Sequence, residues 1–100
     1  MKTLQSIIQI LQKHEEKLKG KYKIKTLKIF GSYAVGKQTE SSDLDVIVTF
    51  KEAPTLLEFL SLKEYIENLV KLKVDLVTEN AISPYIRPHL KEVEVLNFEK

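Results

Sequence analysis

Leu4, Ile7, Ile8, Leu11 and Leu18 recur at helical spacing, and Gly20 follows as a stop. This pattern predicts one amphipathic helix over residues 3–19. Residues 23–30 (KIKTLKIF) place apolar Ile24, Leu27, Ile29 and Phe30 in a strand-like run. Residues 31–42 hold two glycines and four serine or threonine side chains, the composition of a turn-rich connection with room for one helical turn. Residues 43–50 (DLDVIVTF) form the clearest strand, and residues 51–54 break it. Thr55 and Glu58 have the spacing of a capping box, and Phe59, Leu62, Ile66 and Leu69 extend a helix to about residue 69. Residues 73–78 (KVDLVT) predict a third strand. Pro84 and Pro88 limit residues 83–91 to a short or broken helix, and residues 93–98 suit a short edge strand or a tail.

The predicted order is α-β-β-α-β with a small C-terminal element. Three to four strands backed by two helices make a two-layer α+β (α/β) sandwich, with one sheet face left open for a site. One hundred residues suit a single domain spanning residues 1–100. No cysteine is present, so neither a disulfide nor a thiolate zinc site can hold the fold. Apolar runs such as residues 46–48 are far too short to span a membrane, and residues 1–19 lack the apolar block of a signal peptide. The expected location is the cytoplasm, with no membrane contact.

The net charge of +2 is unevenly spread. Residues 1–30 hold eight lysines against Glu15 and Glu16, a net +6, and residues 31–100 are net −4. The basic part is either a solvated face or a docking surface for polyphosphate, nucleic acid or an acidic protein. Direct nucleic-acid binding is not the expected use; a homo-oligomer is left open.

Aspartate usage changes the picture most. Eleven of the fourteen acids are glutamate, and the three aspartates, Asp43, Asp45 and Asp75, all fall in strand-like segments. Aspartate is disfavoured in strands, so these positions point to chemistry. Asp43 and Asp45 stand at i and i+2, which puts both carboxylates on one face, with Cα atoms roughly 6–7 Å apart from a rise of about 3.3 Å per residue. That spacing suits shared divalent ions, which lie about 3.5–4 Å apart in two-metal sites. Asp75 completes a three-carboxylate cluster if its strand pairs beside the first. Such a cluster repels itself without a cation, and its hard oxygens favour Mg²⁺ or Mn²⁺. Upstream, Gly31 and Ser32 follow a strand end, where a turn can aim backbone N–H groups at phosphate. Gly36 lets the loop turn again, and Lys37 offers a point charge to phosphate oxygens.

His14 lies near the apolar stripe of the first helix and reads as packing; His89 reads as surface. Tyr33 reads first as loop packing, with a nucleotide-flanking role as the alternative. Arg87, the single arginine beside fifteen lysines, is a candidate fork for a phosphate or a partner's acid.

The ordered combination resembles the DNA polymerase β-like nucleotidyltransferase superfamily, whose signature is GS, ten residues, then DxD. Here it stands as Gly31-Ser32, residues 33–42, then Asp43-Leu44-Asp45. The longer string FGSYAVGKQTESSDLDVIV is similar to the minimal nucleotidyltransferase (MNT) branch. Many MNT sequences carry arginine before the second glycine, where this chain has Val35, with Lys37 as the cation available in its place. The resemblance implies a small mixed sheet of the polymerase β-like fold. It implies that Gly31 and Ser32 hold the β- and γ-phosphates of ATP, and that Asp43, Asp45 and Asp75 ligate Mg²⁺. Asp75 also helps deprotonate the attacking hydroxyl. It further implies an antitoxin role, in which AMP passes from ATP to a tyrosine of an HEPN-domain toxin. Two rival readings are an antitoxin that acts by binding alone and a subunit of an antibiotic-modifying enzyme.

Overall fold

A computed structural model describes residues 2–99. The helical N-terminal segment is α1 (Leu4–Lys13) and α2 (Glu15–Gly20) rather than one continuous helix. The break is at His14, with φ −108° and ψ 21°. Its Nδ1–H donates to Ile10 O at 2.9 Å, occupying the carbonyl that its own backbone N–H would use in a helix, and that N–H goes to Leu11 O at 3.1 Å. Glu15 and Glu16 then open α2, where negative charge favours a helix start.

Four strands follow: β1 (Ile24–Phe30), β2 (Leu44–Phe50), β3 (Val74–Thr78) and β4 (Val93–Asn97). A single turn of helix, α3 (Ser32–Val35), follows β1, and α4 (Leu56–Val70) joins β2 to β3. The capping box forms: Thr55 N–H donates to Glu58 Oε1 at 2.8 Å and Glu58 N–H to Thr55 Oγ1 at 3.2 Å. Leu62, Ile66 and Val70 of α4 are fully buried, each contributing roughly 1.5–3 kcal/mol by leaving water. The short helix predicted within residues 83–91 is a single 3₁₀ turn, Arg87–His89, and a second 3₁₀ turn, Glu79–Ala81, precedes it directly after β3. No helix among the described residues is long and apolar enough to cross a membrane.

The sheet is mixed, in the order β3-β2-β1-β4. β1 is antiparallel to β2 and β4, and β2 is parallel to β3. Leu44, Val46 and Val48 of β2 and Leu27 and Ile29 of β1 join Ile7, Leu11 and the buried side of α4 in one core. Alternate residues, Asp45, Ile47 and Thr49, take the other face.

That second face is not open, as the sequence pattern suggested. β3 and β4 run the same way at opposite edges, so residues 79–92 must cross the sheet. A right-handed β2-α4-β3 connection places α4 on one face. The β3-to-β4 connection travels the opposite way across the sheet, so the same handedness places it on the other face. Ile47, on that face and outside the main core, is accordingly only 2% exposed. The two prolines and absent periodicity of residues 83–91 hide this covering role from sequence reasoning.

Candidate active site

Antiparallel register sets Phe30 opposite Asp45, and parallel register sets Asp75 beside Asp45. Asp45 therefore sits between the end of β1 and the start of β3. The chain leaves β1 through Gly31 at φ 74° and ψ −152°, a region open essentially to glycine alone. A Cβ on Gly31 would lie 2.1 Å from Asp45 Oδ2. The turn thus brings bare backbone against the carboxylate. Ser32 opens α3, where backbone N–H groups lack carbonyl partners within the helix. Gly36 closes it in the left-handed region at φ 75°.

Half-buried Asp45 has its carboxyl pushed above the ordinary value, by burial first, then by the charges of Asp75 and Asp43, and by a hydrogen bond with the Asp75 side chain. Asp75 is exposed. Asp43 is exposed as well and lies one residue before β2 rather than inside the strand, with its charge near enough to act on Asp45. Among the described residues no ion pair engages any of the three aspartates.

Among the described residues no group of three or more His, Cys, Asp or Glu side chains converges as a metal cage. The donor set nonetheless fits a hard divalent cation. Mg²⁺ is commonly held by one or two carboxylates, waters and substrate phosphates rather than by an all-protein cage. Burial of Asp45 and the charges of Asp75 and Asp43 raise its proton affinity, and a divalent cation bound there would relieve that repulsion.

The remaining candidates separate cleanly. Lys37 is exposed beyond Gly36, and its backbone N–H donates to Ser32 O at 3.0 Å. Tyr33 is 1% exposed and belongs to the core, so it does not flank a nucleotide. His14 packs edge-on to Tyr65, with centroids 6.5 Å apart, and His89 is exposed. Arg87 is engaged within the chain: its guanidinium pairs with Glu79 and, at 2.7 Å, with Glu92. The Glu92 contact is close without hydrogen-bond alignment. Glu92 also lies 3.9 Å from Lys28 Nζ. Arg87 thereby braces the crossing segment from within, and the Lys28–Glu92 contact joins it to β1. No spacing signal in the sequence pairs it with Glu79 and Glu92.

A cavity of about 390 Å³, lined by Tyr22, Phe50, Pro54 and Leu57 among others, lies at the other end of the sheet, and none of the aspartates borders it. The acidic site is a surface at the sheet's end, without an enclosing wall of its own.

Residues 11–97 match the family described as nucleotidyltransferase domain. Over 82 residues the chain is 52% identical to a Methanocaldococcus jannaschii protein provisionally named a protein adenylyltransferase, covering 82% of this chain and 95% of that protein. It is 30% identical to a solved structure provisionally described as a minimal nucleotidyltransferase, with TM-score 0.75 over 92% of this chain and 95% of the other. It shares its fold with a chain in the structure of a tri-AMPylated HEPN toxin from Shewanella oneidensis in complex with MNT antitoxin. There the TM-score is 0.63 at 18% identity, over 92% of this chain and 74% of the other.

Proposed function

The chain belongs to the nucleotidyltransferase domain family, and from this premise we propose that it transfers AMP from ATP to a tyrosine hydroxyl of a partner HEPN-domain toxin. The observation that carries this reading is Asp45 held against the bare backbone of Gly31 while registered beside Asp75. A triphosphate lying over that turn has its phosphates near backbone N–H groups and its α-phosphate near the carboxylates.

Gly31 and Ser32 bind the β- and γ-phosphates, and Lys37 adds positive charge from the following loop. Asp43, Asp45 and Asp75 would hold Mg²⁺. When bound, that ion neutralises the carboxylates and stabilises charge on the reacting phosphate oxygens. Asp75, exposed at the edge strand, accepts the proton of the incoming hydroxyl. The fold supplies orientation; the partner supplies the acceptor and the wall that excludes water.

The partner assignment is supported by the likeness to the AMPylated toxin complex, and the acceptor class by the adenylyltransferase relative. Co-expression with the HEPN-domain protein, followed by peptide mass spectrometry of that protein, tests it. AMP is expected on a tyrosine with the wild-type chain and not with Asp45→Asn. An unmodified partner in both preparations would refute the reading.

A further inference from the structure

Tyrosine, the proposed acceptor, also occurs in this chain at four positions, Tyr22, Tyr33, Tyr65 and Tyr85. Three are packed. Tyr33 is 1% exposed. Tyr22 and Tyr65 stack with centroids 5.2 Å apart, and the Lys17 ammonium lies 4.8 Å from the Tyr65 ring centroid. Tyr85 differs: it is 87% exposed, beside half-exposed Ile86.

Its loop is nonetheless held. Tyr85 N–H donates to Ser83 Oγ at 3.2 Å, and the N–H groups of Ile86 and Arg87 donate to Ser83 O at 3.1 and 3.0 Å. Arg87 pairs with Glu79 and Glu92 within the same segment. The loop thus presents a phenol to solvent on an ordered turn, flanked by an apolar side chain able to rest on another surface. These bonds lie within the crossing segment itself and keep the turn in shape. Offered to the site of another molecule, the exposed phenol leaves this turn as it is.

We infer that Tyr85 is itself an acceptor of AMP, modified in trans by a second copy of this chain. The inference rests on the tyrosine-directed transfer proposed above. The Tyr85 phenol oxygen attacks the α-phosphorus of ATP held by the other copy and forms an O–P bond. The bond from that phosphorus to the oxygen bridging to the β-phosphate breaks, and its electron pair leaves with pyrophosphate. The phenolic proton passes to a carboxylate of the other copy's site and then to water. No oxidation or reduction occurs. Tyr85 and a toxin tyrosine then compete for one site, so self-modification proceeds when the partner is scarce.

A mixing experiment with labelled ATP and Mg²⁺ tests this. Asp45→Asn retains the acceptor without the site; Tyr85→Phe retains the site without the acceptor. Neither variant alone should take up label. Their mixture should label the Asp45→Asn chain, on the peptide containing Tyr85, and excess HEPN-domain protein should suppress that labelling. Tyr85→Phe should still modify the HEPN-domain protein. An unlabelled mixture, or label on another peptide, while Tyr85→Phe modifies the HEPN-domain protein would overturn the inference and leave the proposed function standing. Failure of every combination to label either protein would overturn both.

Discussion

Asp45 and Asp75 are register partners across the parallel β2–β3 ladder, and burial of Asp45, joined by the charges of Asp75 and Asp43, pushes its carboxyl above the ordinary value. Without a cation this relationship opposes stability. A carboxyl whose folded value is raised contributes stability that is fully present below the unfolded value and is lost as pH rises through the folded one.

The metal-free protein should therefore lose stability as pH climbs from the ordinary aspartate range through the raised value of Asp45. Asp45→Asn removes that loss. Thermal unfolding against pH should show the variant more stable than wild type at neutral pH without metal. Mg²⁺ should stabilise the wild type and leave the variant unchanged. Matching pH profiles for the two proteins would contradict the electrostatic account.

Gly31→Ala tests the turn. The backbone there costs a non-glycine residue about 1–3 kcal/mol, and the new Cβ would strike Asp45. The variant should unfold at lower denaturant and lose nucleotide affinity together. Full affinity by calorimetry with Mg²⁺ present would show that the Gly31–Asp45 contact is not part of the site.

The neighbourhood of Asp45 and Asp75 in the candidate site is partly legible in the sequence. The alternation in DLDVIVTF and KVDLVT already separates Asp45 and Asp75 from the core residues, because a strand has only two faces, whereas Asp43 lies just before its strand. Parallel pairing of β2 with β3 needed the structure, since alternation fixes a face but not a neighbour. The break at His14 was hidden because Ile7, Leu11 and Leu18 keep helical spacing through it; a side-chain bond to Ile10 O ends the ladder. Tyr33 sits in a glycine-bounded loop yet is buried, because α3 turns it into the core. The crossing segment has no period at all, and its anchor is an ion-pair network that composition cannot announce.

Arg87 is one such anchor, and a structural one. Arg87→Ala should cost about 1–2 kcal/mol, between the values for exposed and buried ion pairs, by leaving Glu79 and Glu92 without their cation. Transfer per folded molecule should be retained. Wild-type stability with abolished transfer would instead place Arg87 on the substrate.

Val35 occupies the place where many MNT sequences have arginine, and it is 47% exposed next to Gly36. Val35→Arg should tighten ATP binding in the presence of Mg²⁺, by charge-assisted contact with phosphate. Its effect on stability should stay within about 0.5 kcal/mol, as for most surface changes. Unchanged affinity by calorimetry would show that position 35 does not face the triphosphate.

The position of the label in ATP tests nucleotidyl transfer most directly. The chain and the proposed HEPN-domain partner would be incubated with Mg²⁺ and ATP labelled either at the α-phosphate or at the γ-phosphate, and protein-bound label measured. Label from α-labelled ATP on a partner tyrosine, none from γ-labelled ATP, and loss of both transfer and label on chelation are the results predicted here. Label arriving from the γ-phosphate, or undiminished transfer by Asp45→Asn, would contradict the assignment of these three aspartates to adenylyl transfer.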